Sequence, residues 1–330
     1  MCSLFGIIDY KDALSQKWRN KAVAVLSRES QKRGTDATGI AYIFDHRMRI
    51  FKRPWPARRM HFCIPEGVPV IMGHTRMTTQ GSAKQNYNNH PFAGRCGATS
   101  FALAHNGVLY NDKLLRGQYH LPKTAVETDS YVAVQLLEQH NTLDLAALQQ
   151  AAERVEGSFT FTILGGNGTL SFIKGTSPLV IYRFDTIGCY LYASTEEIMN
   201  RAVHRLKLNK IPHSTIAVEC GDILQIDKHG GCHWGKFDTA HLYQVSAYSR
   251  FGLWDDPYDW GGVMHQAPYG EDTPLDALLS SATAMGLSPD DVALLLDCGY
   301  DASDIEDLLY DPMLLRECLA ELKEPCSGWY

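Results

Sequence analysis

The sequence predicts an α+β fold of two antiparallel sheets packed face to face, with helices on the outer faces and a small helical segment behind them. Three observations carry this. Roughly a dozen short β-rich runs occupy the first 230 residues, and successive runs are joined by tight turns such as Gly-Gly-Asn-Gly at 165–168, as antiparallel pairing requires. Helical periodicity returns only in separated stretches among those runs, so helices cover the sheets instead of crossing between parallel strands. Beyond residue 270 the pattern changes to paired leucines between acidic residues.

Taken in order, SLFGIID (3–9) is mostly apolar (Leu4, Phe5, Ile7, Ile8) and reads as a short buried strand. A helix follows over 13–31, with Ala22, Val25 and Leu26 on one face. After the loop RGTDATG come strands at 39–44, 47–52, 68–76 and 101–107, then helices at about 129–140 and 144–154. A second set of strands is SFTFTIL, TLSFIK, PLVIYR, CYLYAS, STIAV and DILQID, interrupted by one helix at about 195–205. The Gly-Gly-Asn-Gly turn is followed by no helix, so it is a hairpin turn and not a phosphate loop. The body, 2–237, ends near Phe237. Residues 238–273, rich in Tyr, Trp, Pro and Gly, read as an irregular connector, and 274–330 as a small acidic helical segment. Ser288, ahead of Pro289 and two aspartates, is an N-cap with an acidic first turn.

Composition narrows the function classes. The chain has 330 residues, 45% hydrophobic and 21% charged, as soluble globular chains do. No run approaches the roughly 18 apolar residues of a membrane helix, and no secretory signal is visible. Nine cysteines without a Cys-x-x-Cys pair argue against a zinc ribbon, and a reducing, cytoplasmic setting is expected. From Glu271 to Tyr330, fourteen acidic residues face only Arg316 and Lys323, a net of −12, which leaves +6 for residues 1–270. Such asymmetry marks an interaction segment or one that folds back on the body. The basic stretch FKRPWPARR (51–59) reads as a solvated or phosphate-facing loop, with no nucleic-acid partner expected.

Four polar stretches carry chemistry: RGTDATG (33–39), GHTRMTTQG (73–81), AHNG (104–107) and ETD (127–129). Arg76 ends a buried strand, where a guanidinium can fork a carboxylate. Asn106-Gly107 ends another, and a side-chain amide beside an unhindered backbone N–H makes a two-donor pocket for an oxyanion. Asp129 opens a helix and can accept an ammonium. With the thiol of Cys2, these groups describe a site for an amino acid that carries a side-chain carbonyl. Each piece alone has a plainer reading: Arg76 as a surface ion pair, Asn106-Gly107 as a turn, Asp129 as a helix cap, Cys2 as a buried hydrophobe. His74, His90 and His105 read as satisfied core histidines instead of metal ligands, and neither metal nor organic cofactor is expected.

In this order the motifs resemble those of class II glutamine amidotransferase domains, of the N-terminal nucleophile (Ntn) hydrolase superfamily. The resemblance covers about residues 2–230 and is nearest to the glutaminase half of glucosamine-6-phosphate synthase; ASTEE and GDILQI extend it. It implies a four-layer αββα sandwich. It also implies that Cys2, freed of Met1, attacks the amide of L-glutamine through its thiolate, with its own α-amine as base. Asn106 and Gly107 would hold the oxyanion, Arg76 and Thr79 the substrate α-carboxylate, Asp129 its ammonium, and Arg33 would steady the cysteine. Three positions depart from the family's pattern. Ser3 stands where it has glycine, and Met77 and Gln80 stand where it has an aromatic residue and a histidine.

Relatives fuse the glutaminase to an ammonia-consuming synthase, whereas about 90 residues follow the body here. The expectation is therefore a glutaminase that feeds a separate synthase subunit. Alternatives are an amidohydrolase of the same fold acting on another γ-glutamyl amide, and a non-catalytic binding module. The tail helices must bury Leu278, Leu279, Leu294, Leu295, Leu308, Leu309, Leu314 and Leu315 against something. The expectation is docking on the body through Trp254, Tyr258 and Trp260.

Overall fold

The computed structural model describes residues 1–240, 242 and 275–323, and the chain divides into two compact units, 1–242 and 243–330. The connector aromatics Trp254, Tyr258 and Trp260 lie outside the described residues.

In the body, β1 (Ser3–Asp9) leads through α1 (Gln16–Ser30) to β2 (Ala37–Phe44), β3 (Arg47–Arg53) and β4 (Val70–Arg76). Then come β5 (Phe92–Cys96), β6 (Thr99–Leu109), α2 (Asp112–Gln118), α3 (Tyr131–Glu138) and α4 (Leu145–Arg154). The second half runs β7 (Gly157–Gly165), β8 (Leu170–Lys174), β9 (Val180–Phe184), β10 (Cys189–Ala193) and α5 (Glu196–Arg205). It closes with β11 (Ser214–Thr215), β12 (Asp222–Ile226) and β13 (Cys232–Lys236). Seven strands form one sheet in the order β11-β9-β10-β1-β4-β2-β3, and six form the other in the order β13-β12-β8-β7-β6-β5.

Three apolar layers hold these sheets together. Alternation along β1 sends Phe5 and Ile7 to the core under α1 and α5, and Leu4 and Ile8 to the core between the sheets. Both faces are therefore covered, which is why the strand is apolar from Leu4 to Ile8. Ala102 and Ala104 of β6 face the intersheet core with Met72, Phe172 and Tyr192, while Leu103 faces the core under α3 and α4. The result is the αββα sandwich. Capping fixes the helix starts: Ser15 accepts from Trp18 N–H, Asp144 from Ala147 N–H and Thr195 from Ile198 N–H.

Some elements differ from expectation. STIAV contributes only Ser214–Thr215 to a sheet, and β5, β13 and α2 appear where no strand or helix was expected. The stretch 51–59 turns its aromatics inward, Phe51 and Trp55 packing on the core under α1, and Arg59 lies over the Trp55 ring at 5.3 Å.

The second unit contains α6 (Leu275–Ala284), α7 (Pro289–Asp297), α8 (Ala302–Leu309) and α9 (Pro312–Lys323). Its leucines bury against one another: Leu278, Leu295, Leu308, Leu309 and Leu315 share one core with Val292, Tyr300 and Ile305. Ser288 and Asp301 close capping boxes with Asp291 and Asp304.

At the far end of β1, Asp9 is wholly buried and meets Arg19 of α1 at 3.1 Å, itself 2% exposed. Asp9 also accepts from Ala13 and Leu14 N–H. Arg19→Ala leaves this carboxylate buried beside no guanidinium and should cost on the order of 3 kcal/mol, measured as a lower urea midpoint at unchanged slope.

Candidate active site

Strand register assembles the site. Antiparallel pairing of Ser3 with Thr75 and of Ala37 with Arg76 gathers the start of β1, the end of β4 and the start of β2 at one end of the seven-stranded sheet. Cys2 immediately precedes β1, Arg76 closes β4, and the 33–36 loop enters β2. From the facing sheet, β6 brings Asn106 and Gly107, and Asp129 stands just ahead of α3.

Five of the seven expected site residues, Cys2, Arg76, Thr79, Gly107 and Asp129, line one pocket. Arg33 reaches it from behind, its Nε donating to the Cys2 carbonyl at 3.0 Å. Asn106 is buried beside Gly107, but its side-chain nitrogen is turned to Ser194 Oγ at 3.3 Å and forms no part of the pocket wall. Ser194 Oγ also takes Leu4 N–H at 2.8 Å, fixing β1 against that serine. Gly107 has φ +138, and a Cβ there would stand 1.8 Å from Ser158 O. Only glycine fits both the conformation and the space.

Arg76 is 3% exposed and already well bound: Nη1 donates to Asn89 Oδ1 at 2.7 Å, and Nη2 to Gln80 O at 2.6 Å and Gly81 O at 3.1 Å. The guanidinium thus anchors the segment that carries Thr79. Asp129 accepts from Leu109 N–H at 2.6 Å through Oδ2 and from Ser130 Oγ at 3.4 Å through Oδ1. The Cys2 thiol donates to Met77 O at 3.5 Å. Burial pushes that thiol up from its ordinary value, against the pull of the N-terminal amine and Arg76. The amine of Met1 contacts Met77 Sδ at 2.6 Å and is pushed down by burial. Of the departing positions, Met77 and Gln80 line the pocket, while Ser3 is buried and does not.

The sequence reading missed the residues that hold these groups. His90, His105, Thr128 and Ser130 complete the pocket wall. His105 pairs with Ser130 Oγ at 2.8 Å and its carbonyl with His74 Nε2 at 3.0 Å. His90 departs from the expectation of a satisfied core histidine: it is 4% exposed and neither ring nitrogen has a partner, and its ring lies 4.2 Å from that of His74. Burial holds His74 down to about 3 and His90 well below its ordinary value, so both are neutral near pH 7. Lys52, donating to Asn89 O and Pro91 O, is lowered to about 8 by burial and by the charge of Arg76. Among the described residues, no three His, Cys, Asp or Glu side chains are grouped to hold a metal, and no helix is long and apolar enough to cross a membrane.

No protein-family model matches the chain. It is 31% identical over 191 residues to the glutamine–fructose-6-phosphate aminotransferase (isomerizing) of Staphylococcus aureus strain Mu50. The Bacillus thuringiensis protein of the same description matches at 30% over 188 residues. The body is similar in sequence to the glutamine-using part of these aminotransferases, as the order of its motifs leads one to expect of a class II glutamine amidotransferase domain. Each of these matches covers 55% of this chain, but the chain spans only 30% and 28% of the relatives' own length. The fold agrees with the Bacillus subtilis glutamine phosphoribosylpyrophosphate amidotransferase structure, at TM-score 0.55 and 19% identity over 71% of this chain and 49% of that one. A structure described as the allosteric regulatory enzyme of purine biosynthesis matches at TM-score 0.54 and 20% identity, with the same coverage. These two share the body's fold of two packed antiparallel sheets with helices outside them.

The neutral histidines give this domain an acid limit. A histidine whose folded pKa lies below its unfolded value binds a proton more readily when unfolded, so stability falls as pH drops below about 6.5. For His74 the loss continues down to about 3, at about 1.4 kcal/mol per pH unit. His74→Asn should flatten the stability–pH curve between pH 6.5 and 4.5, as followed by urea unfolding at a series of pH values.

Proposed function

We propose that the chain hydrolyses the side-chain amide of L-glutamine through a Cys2 thioester, giving glutamate and ammonia. The observation that carries this reading is the convergence of Cys2, Arg76, Thr79, Gly107 and Asp129 on one pocket in a domain related to enzymes named for their use of glutamine.

In this reading Met1, which lies against Met77 and Arg33, is removed, and this uncovers the Cys2 amine. The amine takes the thiol proton, and the thiolate attacks the amide carbon. The oxyanion forms beside Gly107 N–H, and the Asn106 amide joins by exchanging Ser194 Oγ for it. The protonated amine then gives its proton to the leaving nitrogen, ammonia departs, and water cleaves the thioester. The buried carboxylate of Asp129 receives the substrate ammonium. Arg76 and Thr79 receive the carboxylate, which competes with the Gln80 and Gly81 carbonyls for the guanidinium. The pocket holds about 10 Å³ of free volume, room for one water, so glutamine enters as the exposed Met77–Thr79 stretch moves aside.

The relatives are described as glutamine–fructose-6-phosphate aminotransferases (isomerizing). For this chain we place the ammonia acceptor on a separate synthase subunit. A rate of glutamine consumption that rises when a candidate synthase is added would identify it. Hydrolysis of another γ-glutamyl amide in preference to glutamine, in a panel assay, would shift the reading to the amidohydrolase alternative.

Intact mass of the active protein should begin at Cys2, and Cys2→Ala should abolish glutamine hydrolysis while leaving the unfolding curve in place. An active protein that retains Met1, or an active Cys2→Ala variant, is incompatible with the mechanism.

Arg76→Ala should raise KM far more than it lowers kcat, because a carboxylate is gripped alike in ground and transition states. Asn106→Ala should lower kcat instead, by on the order of 3 kcal/mol in the barrier. Steady-state kinetics that give both variants the same pattern would refute the division of roles.

A further inference from the structure

The loop that carries Arg33 holds a second charged residue. Asp36 precedes β2; its backbone N–H donates to Arg76 O at 2.9 Å, and its Oδ2 accepts Thr78 N–H at 2.7 Å. These two bonds bracket Met77, whose carbonyl oxygen takes the Cys2 thiol. Gly34 packs against the same turn: a Cβ there would lie 2.4 Å from the Arg76 carbonyl carbon and 2.6 Å from Met77 N. The 33–36 loop is therefore a backbone cradle for residues 76–78, and Asp36 is its latch.

We propose that Asp36 is a positioning residue for Cys2, its carboxylate fixing the Arg76–Thr78 turn on which the thiol rests and balancing the positive charge of Arg33 beside the N-terminus. This rests on the reading of Cys2 as the nucleophile. Arg76 and Asp129 act on the thiol, and Arg33 and Asp36 act on the amine of Met1 beside it, one charge of each sign at each group. Arg33 binds the Cys2 carbonyl from one side of the loop, and Asp36 holds Thr78 from the other. At the Met1 amine, one residue ahead of the amine that processing exposes, burial and Arg33 favour the neutral base, whereas the thiolate and Asp36 favour the ammonium. Deleting the Asp36 charge leaves the cluster one positive charge in excess. That excess disfavours the ammonium and favours the thiolate, so both groups lose their protons at lower pH.

Asp36→Asn keeps an oxygen for Thr78 N–H and removes the charge; Asp36→Ala removes both; Asp36→Glu restores the charge. In the full-length processed protein, two readouts are followed against pH: the rate of Cys2 alkylation by iodoacetamide, by peptide mass, and glutamine hydrolysis. Because Asp36 is exposed and screened, Asp36→Asn should move the alkylation midpoint and the acid limb of kcat down by roughly half a pH unit. KM should then stay near the wild-type value. Asp36→Ala should show the same shift and a several-fold rise in KM as the turn loosens, and Asp36→Glu should return the midpoint to its original position. An Asp36→Asn midpoint that is unmoved or raised overturns the proposal, and so does an Asp36→Ala variant with wild-type KM. Should Asp36→Ala fail to fold, the Asp36→Asn midpoint decides. If the wild-type protein does not hydrolyse glutamine, the glutaminase reading fails, while the alkylation midpoints still judge Asp36.

Discussion

The register of β1 on β4, and of β4 on β2, is the constraint on which the rest depends. With Ser3 opposite Thr75 and Ala37 opposite Arg76, the chain's beginning, a strand end and a loop entry meet at one sheet edge. A slip of one residue would turn Leu4 and Ile8 out of the intersheet core and exchange them with Phe5 and Ile7. The two apolar layers that fix the fold therefore also fix where the thiol sits. Packing and chemistry are not separable at this end of the sheet.

Around that junction the polar groups form one connected system. Arg76 ties its own strand to Gln80, Gly81 and Asn89; Asn89 in turn holds Ala83 and is held through its carbonyl by Lys52. Asn88 and Glu127 pin the same segment from the other side, at 2.8 Å from each other. Buried polar groups of this kind are stable only when nearly all are satisfied. The unpartnered nitrogens of His90 and His74 are the conspicuous exceptions, and their neutral state is what lets them remain unpaired beside two cations.

Much of this was legible in the sequence because it rests on local pattern. The mostly apolar run of β1, the Ser288 cap and the hairpin at 165–168 follow from residue type and spacing. Cys2, Arg76, Gly107 and Asp129 were expected together from the order of their motifs, and they line one pocket, although Asn106 and Gly107 lie inside β6, which continues to Leu109, and do not end it as the sequence suggested. What was hidden depends on tertiary partners. β5 and β13 are five-residue strands whose sequences, FAGRC and CHWGK, have no clear period, and they pair only because β6 and β12 offer them an edge. The turn of Asn106 toward Ser194 joins residues 88 apart. The depressed basicity of Lys52 comes from burial that its neighbours in sequence, Phe51 and Arg53, do not announce.

The outermost strands of both sheets share a property that bears on how other chains can approach. β11 is two residues long, β3 carries Arg47, Arg49, Lys52 and Arg53, β5 carries Arg95, and β13 ends in Lys236. Short or cationic margins are poor templates for a foreign strand. Association by adding a strand to either sheet is thereby disfavoured on all four described margins, which leaves loops and helix faces as the ground on which a second polypeptide can be met.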